Sequence, residues 1–413
     1  MDAIAPSTIA SSPATGAIAG LPPIPFDAGR LDTLMEGAGI DALVVTSKHN
    51  IQYLLGGYRF FFFDHFDAIG VSRYLPILLY VKGQPERAAY VGHPMESYER
   101  ELNRFWVPTF SPSARMSTDG VGVAIERLAT LAPKVKRIGI ERAFLPADAE
   151  SALRKGLPEM EFVEAQLPLE RLRAVKTPQE LESLRIASDL VVDSMLAVIA
   201  GARPGVTKRE LVEALRREEV NRGLTFEYCL ITGGTSLNRA PSGQNLREGD
   251  VLSLDSGGNF NGYIGDLCRM AIFGEPDAEL EELLGEVEAI QQAARRPIRH
   301  GARGGEVYAA VEELTRASPH GNSLEFVAHG MGLISHEAPR LTNSGPVPYP
   351  AYDADLPLQK GMVLSIETTI LHPRRGFIKL EDTVAVTETG WEGFGDRGRG
   401  WNRCGASVSR SHF

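Results

Sequence analysis

The dipeptide Asn261-Gly262 stands between two largely apolar runs, residues 251–260 and 263–271, and few dipeptides restrict a chain more tightly. Both residues suit the positive φ of a type I′ turn, so the two runs are expected to fold back as an antiparallel hairpin. The turn fixes the register. Phe260 faces Tyr263, and counting outward sets Gly257 opposite Asp266. Side chains alternate between faces, so Asp255 shares the face of Gly257 and hence of Asp266. The two aspartates become diagonal neighbours, roughly 7–8 Å apart at the backbone, with glycine between them. Two carboxylates placed this way can share metal ions; solvated acids beside a turn are the plainer alternative.

Further acids strengthen the metal reading. Glu367 lies in the strand-like apolar run 362–370 and Glu381 in the run 377–386. A lone carboxylate in such a run is costly to bury unless it is paired or bound to a cation. An ion pair to Lys379 or Arg269 would meet that need as well as a metal. Residues 371–376 are short enough to join the two runs as a second hairpin. His329 and His336 lie among Gly330 and Gly332, a context that argues against a regular helix and leaves an imidazole uncrowded. Four carboxylates and one imidazole form a hard, oxygen-dominated set. Such a set suits two divalent ions about 3.5–4 Å apart, manganese, cobalt or zinc, better than a thiolate site does. The three cysteines, Cys229, Cys268 and Cys404, are too scattered for a disulfide framework and suit a reducing compartment.

At 413 residues two domains are expected, and a composition of 43% hydrophobic and 23% charged residues excludes wholesale disorder. A net charge of -10 argues against nucleic acid or an anionic membrane as the main partner. No run is long and apolar enough to span a membrane, and the opening residues lack the basic start of a signal peptide. Residues 1–25, rich in Ala, Ser and Pro, read as a flexible arm on a cytoplasmic protein. Residues 26–168 alternate strand-like pieces (42–46, 77–81, 137–141) with helical ones such as 121–131, an α/β pattern without a glycine-rich phosphate loop. Residues 169–413 read as an α+β domain. Its helices start at the capping boxes Thr177–Glu180 and Thr207–Glu210 and recur at 277–296 and 305–317, with strands over 225–271 and 360–388.

Taken in order, Asp255 and Asp266 with their glycines, His-Gly-x-Gly-Leu from His329, His-Glu-x-Pro from His336, Ser-Ile-Glu ending at Glu367 and Lys-Leu-Glu-Asp-Thr from Lys379 resemble the M24 family. That family includes Xaa-Pro aminopeptidases, prolidases, methionine aminopeptidases and creatinase. The resemblance spans about residues 170–390. His49-Asn50-Ile51 with Tyr53, followed by Gly57-Tyr58, is similar to the creatinase and prolidase N-terminal domain.

The resemblance implies a creatinase-like α/β domain before an α+β pita-bread domain. It also implies a hydrolase of amide or peptide C–N bonds, of Xaa-Pro dipeptidase or aminopeptidase type, using a hydroxide that bridges two divalent ions. Asp255, Asp266, His329, Glu367 and Glu381 would be the ligands, with Asp266 and Glu381 bridging. Glu367 would carry the proton and His336 would stabilise the oxyanion. A homodimer is implied as well, in which Tyr58, Arg59, Phe61 and His65 line the partner's pocket for a small substrate.

Two departures qualify the peptidase expectation. Residues 227–250, where these peptidases usually carry a histidine, contain none, leaving Asn238 and Arg239 as candidate substrate contacts. Lys379 replaces a common arginine, a point charge in place of a planar fork. The alternative is therefore an enzyme of the same fold acting on a non-peptide small molecule, a creatinase-like hydrolase or a lyase such as a dimethylsulfoniopropionate lyase. A non-catalytic binding protein is disfavoured by the complete ligand set.

Overall fold

In the computed structural model, which describes residues 20–63, 73–131, 135–343 and 349–405, the chain divides into two units, Met1–Arg173 and Ala174–Phe413. The first is built on a mixed sheet of β1 (Ala42–Val45), β2 (Ile77–Val81), β3 (Ala89–Gly92), β4 (Thr109–Pro112), β5 (Arg137–Ile140) and β6 (Glu161–Glu164), in the order β4-β3-β2-β1-β5-β6. β1 is buried along its whole length, pairing antiparallel with β2 and parallel with β5. Its alternating side chains supply two cores: Ala42 and Val44 on one face, Leu43 and Val45 on the other. Helices α1 (Ala28–Ala38), α2 (Lys48–Leu54), α3 (Ser97–Glu101), α4 (Ser117–Leu131), α5 (Ala147–Gly156) and α6 (Gln166–Ala174) complete the unit.

β1 and β5 each stop one residue short of the expected runs. The Glu141 carboxylate instead accepts the Thr46 N–H (2.7 Å) and the Ser47 N–H (2.9 Å), turning the chain into α2. Most of the arm expected over residues 1–25 lies outside the described residues. Its end is not free, however: Ile24 is 2% exposed and packs into the core that contains Leu43 and Val45.

The second unit contains helices α7 (Pro178–Gly201), α8 (Lys208–Asn221), α9 (Ala278–Arg295) and α10 (Glu306–Ala317). Its strands are β7 (Thr225–Gly233), β8 (Val251–Phe260), β9 (Tyr263–Ile272), β10 (Leu324–Gly330), β11 (Val363–His372), β12 (Gly376–Val386), β13 (Trp391–Phe394) and β14 (Asn402–Arg403). The sheet order is β10-β11-β12-β9-β8-β7, with β13 on β12 and β14 on β9. Both capping boxes form, at Thr177–Glu180 and Thr207–Glu210. Asn261 and Gly262 adopt φ of 53° and 96°, and Phe260 pairs with Tyr263 and Gly257 with Asp266, the register read from the turn. The strand expected over 225–271 is interrupted. Residues 234–250 form a loop, bent where Gly234 and Gly249 take positive φ and the Asp250 carboxylate accepts the Arg247 N–H.

Helices cover one face of this sheet. α7 lies so close to β9 that a Cβ on Gly265 would meet the Ser188 backbone nitrogen at 2.6 Å. On the same sheet, Gln291 of α9 donates to the Ile366 carbonyl (2.8 Å) and to the Asp382 carboxylate (2.9 Å). Alternation sends the neighbours of these residues, Asp266, Glu367 and Glu381, to the opposite face.

Candidate metal centre

A single cross-strand row forms the floor of the site. Asp255 on β8 pairs with Cys268 on β9, Cys268 with Glu381 on β12, Glu381 with Glu367 on β11, and Glu367 with Val327 on β10. Asp266, His329 and Lys379 each lie two residues from a member of this row, so they share its face. The sheet thus gathers onto one surface acids that are far apart in sequence. All are buried except Glu367, whose side chain is 12% exposed.

Asp266, His329 and Glu381 present ligand atoms that all lie within 4.8 Å of one another. His329 Nε2 stands 3.7 Å from Glu367 Oε1 and 3.9 Å from Glu381 Oε1, and among the described residues it has no hydrogen-bond partner. After His329 the chain doubles back: the Glu337 N–H donates to the Gly330 carbonyl at 2.9 Å. This reversal stacks the His336 ring on His329, with centroids 3.8 Å apart and planes 21° apart. Burial lowers both histidines to about 4, helped for His336 by its neighbour His329, so both are neutral imidazoles near pH 7.

Lys379 lies at the centre of the other carboxylates. Its Nζ is 2.7 Å from Asp255, 2.6 Å from Glu367 and 2.8 Å from Glu381. Burial disfavours the ammonium, but these three acids outweigh it and hold the amine protonated well above an ordinary lysine. Arg239, from the 234–250 loop, pairs with the same Asp255 oxygen and lies over the Phe377 ring, 5.2 Å from its centroid. Asp266 feels Lys379 only at longer range, with no ion pair to it among the described residues. Burial and the nearby Glu381 push its carboxyl well above the usual range. The ion pair weighed for Glu367 and Glu381 is therefore present with Lys379. Arg269 instead pairs with Asp382 at 3.0 Å.

The remaining candidates divide. Asn238 is exposed, and its Oδ1 accepts the Ala240 N–H at 2.9 Å, so this side chain closes a local turn rather than entering the site. Tyr58, Arg59 and Phe61 belong to the first unit. The Tyr58 hydroxyl donates to Glu96 at 3.0 Å, while Phe61 is 70% exposed. His65 lies outside the described residues.

Two features of the site went unread in sequence. Tyr228 pairs across β7 and β8 with Gly257, where a Cβ would meet its ring at 2.4 Å, and burial with Asp266 and Asp255 nearby pushes its phenol well above an ordinary tyrosine. A buried ion pair, Lys176 to Glu337 at 3.0 Å, ties down the turn that carries His336. The glycine opposite Asp266 was a signal for the first, since a bare position in a strand marks a close approach. Nothing local signalled the second.

Comparison with known proteins agrees with this arrangement. Residues 182–388 match the metallopeptidase family M24, and residues 28–175 match the creatinase/prolidase N-terminal domain. The chain is 25% identical to the uncharacterized peptidase YqhT of Bacillus subtilis over 87% of this chain and 95% of that protein. It is 28% identical to an Xaa-Pro dipeptidase of Pyrococcus furiosus over 56% of this chain and 65% of that one. Among solved structures, an Xaa-Pro dipeptidase from Bacillus anthracis superposes with a TM-score of 0.75 at 22% identity, covering 90% of this chain and 97% of that one.

Proposed function

This chain belongs to metallopeptidase family M24, and we propose that it hydrolyses Xaa-Pro peptides, as a dipeptidase or aminopeptidase, at a divalent-metal centre formed by Asp255, Asp266, His329, Glu367 and Glu381. It is a metal-dependent hydrolase with the prolidase fold. The observation that carries the reading is the buried, unpartnered His329 Nε2 beside Asp266 and Glu381. A neutral imidazole next to carboxylates is a metal-ligand set, and its hard donors fit manganese, cobalt or zinc.

When bound, such an ion supplies Lewis acidity toward a scissile carbonyl and lowers the pKa of water. The chain supplies the rest. Glu367, the most open of the four carboxylates, is placed to take a proton from water and pass it to the leaving nitrogen. His336, neutral and stacked beside His329, offers an N–H to the negative charge that develops on the carbonyl oxygen. Tyr228, in one cross-strand row with Gly257 and Asp266, walls the site beside that carboxylate. A homodimer, with Tyr58, Arg59, Phe61 and His65 reaching the partner's site, and a cytoplasmic location belong to the same proposal.

The test is a panel of Xaa-Pro dipeptides, longer Xaa-Pro peptides and small non-peptide amides, assayed with chelated enzyme resupplied with each metal. Cleavage confined to Xaa-Pro bonds and dependent on metal supports the reading. Cleavage of only the non-peptide amides favours the small-molecule alternative.

A further inference from the structure

We propose that the Lys379 ammonium replaces one of the two divalent ions such a ligand set would otherwise hold, so that this chain binds a single ion, on Asp266, His329 and Glu381. The inference rests on the metal-centre reading above and narrows it: Asp255 and Glu367 hold the ammonium in place of a second ion.

An ammonium has three N–H donors and no acceptor. The Lys379 ammonium has three carboxylates, on three strands, within 2.6–2.8 Å of Nζ. It is a compact charge at the meeting point of Asp255, Glu367 and Glu381, the place from which a cation would be shared among them. An arginine would spread its charge over a planar fork; lysine concentrates it at one point. Asp255 is further occupied, because Arg239 pairs with the same carboxylate oxygen as Lys379. Both cations meet one oxygen of Asp255, so a metal would have to displace them to bind there.

The other half of the centre differs. Among the described residues Asp266 forms no ion pair, and His329 Nε2 has no hydrogen-bond partner. With Glu381 these two form the group whose ligand atoms cluster within 4.8 Å. The charges point the same way. With all four carboxylates ionised, as a bound cation would hold them, Lys379 and Arg239 leave two negative charges uncompensated, the amount one divalent ion neutralises.

The experiment loads the full-length chain with excess Mn(II), removes loosely held metal by gel filtration, and counts metal per chain by plasma mass spectrometry. Electron paramagnetic resonance of the same sample reads whether the ions are isolated or spin-coupled. The wild type is expected to hold one equivalent with the spectrum of an isolated ion. Lys379→Met is expected to approach two equivalents with a coupled spectrum. Two equivalents in the wild type, or one in a folded Lys379→Met variant, would overturn the proposal and leave the metallohydrolase reading intact. No bound metal in the wild type would overturn both. Should Lys379→Met fail to fold, Asp255→Asn decides: it should keep its one equivalent, whereas Asp266→Asn should weaken binding about 100-fold or more. Loss of the ion from Asp255→Asn would count against the proposal.

Discussion

At the scale of single residues, the protonation state of the histidines governs what the site can do. His329 and His336 are held near 4 by burial, so at neutral pH they ligate or donate without adding positive charge beside an ion. His336→Ala should lower kcat by about 10²–10³-fold while the metal content stays unchanged, checked by steady-state kinetics alongside metal analysis. Loss of metal in that variant would instead make His336 a ligand.

His49 gives the corresponding stability prediction. It is 4% exposed against Phe144, and burial, with Arg173 and Lys48 nearby, lowers it to about 2. In the unfolded chain it takes up a proton near its usual value, so stability is full above about pH 6.5 and falls as the pH drops toward 2. At pH 5 the loss is about 2 kcal/mol. Replacing His49 with Leu should remove that part of the acid slope in urea melts; an unchanged slope would show that His49 does not carry it. Charged residues inside apolar strands were legible in sequence, because burying a carboxylate needs a reason. Lys379 was one of two candidate partners for Glu367 and Glu381, but its reach to Asp255 was not legible, since the ammonium meets all three acids only after β8, β11 and β12 are assembled.

Among the elements, local signals were read well and non-local pairings poorly. Asn261-Gly262 fixes the β8–β9 register by itself, and the Thr177 box starts α7 where it should. The contact that brings Glu381 beside Cys268 joins β9 to β12 across more than a hundred residues, and no spacing announces it. Loop 234–250 was equally opaque in conformation, although it delivers Arg239 to Asp255. Gly265 shows how an element is positioned: α7 packs backbone-close on β9 there, and β9 carries Asp266 one residue later. Gly265→Ala should cost about 1–3 kcal/mol and weaken metal binding through the displaced strand. Thr177→Ala, at the far end of the same helix, should cost only about 1 kcal/mol and leave metal binding alone. Denaturant melts with metal titration would separate the two, and equal effects on binding would contradict the argument.

Across the whole molecule, the length led to the expectation of two domains, and the acidic surplus takes a specific meaning. Four of the acids behind the net charge of -10 face one another on one sheet, and among the described residues only Lys379 and Arg239 pair with them. Such a cluster weakens the metal-free fold and is relieved by a cation. At a free metal concentration one hundred times the dissociation constant, the gain is about 2.7 kcal/mol, or a rise in Tm of roughly 5–10 °C for a domain of this size. Calorimetry with and without metal checks this, and a Tm indifferent to metal would contradict it.

The most direct test of the central claim is proline release from Xaa-Pro dipeptides by wild type and His329→Ala, each chelated and then resupplied with manganese, cobalt or zinc. The account predicts no turnover by either chelated enzyme, recovery in the wild type with at least one metal, and no recovery in the variant. Full turnover by metal-free wild type, or full recovery in His329→Ala, would contradict it.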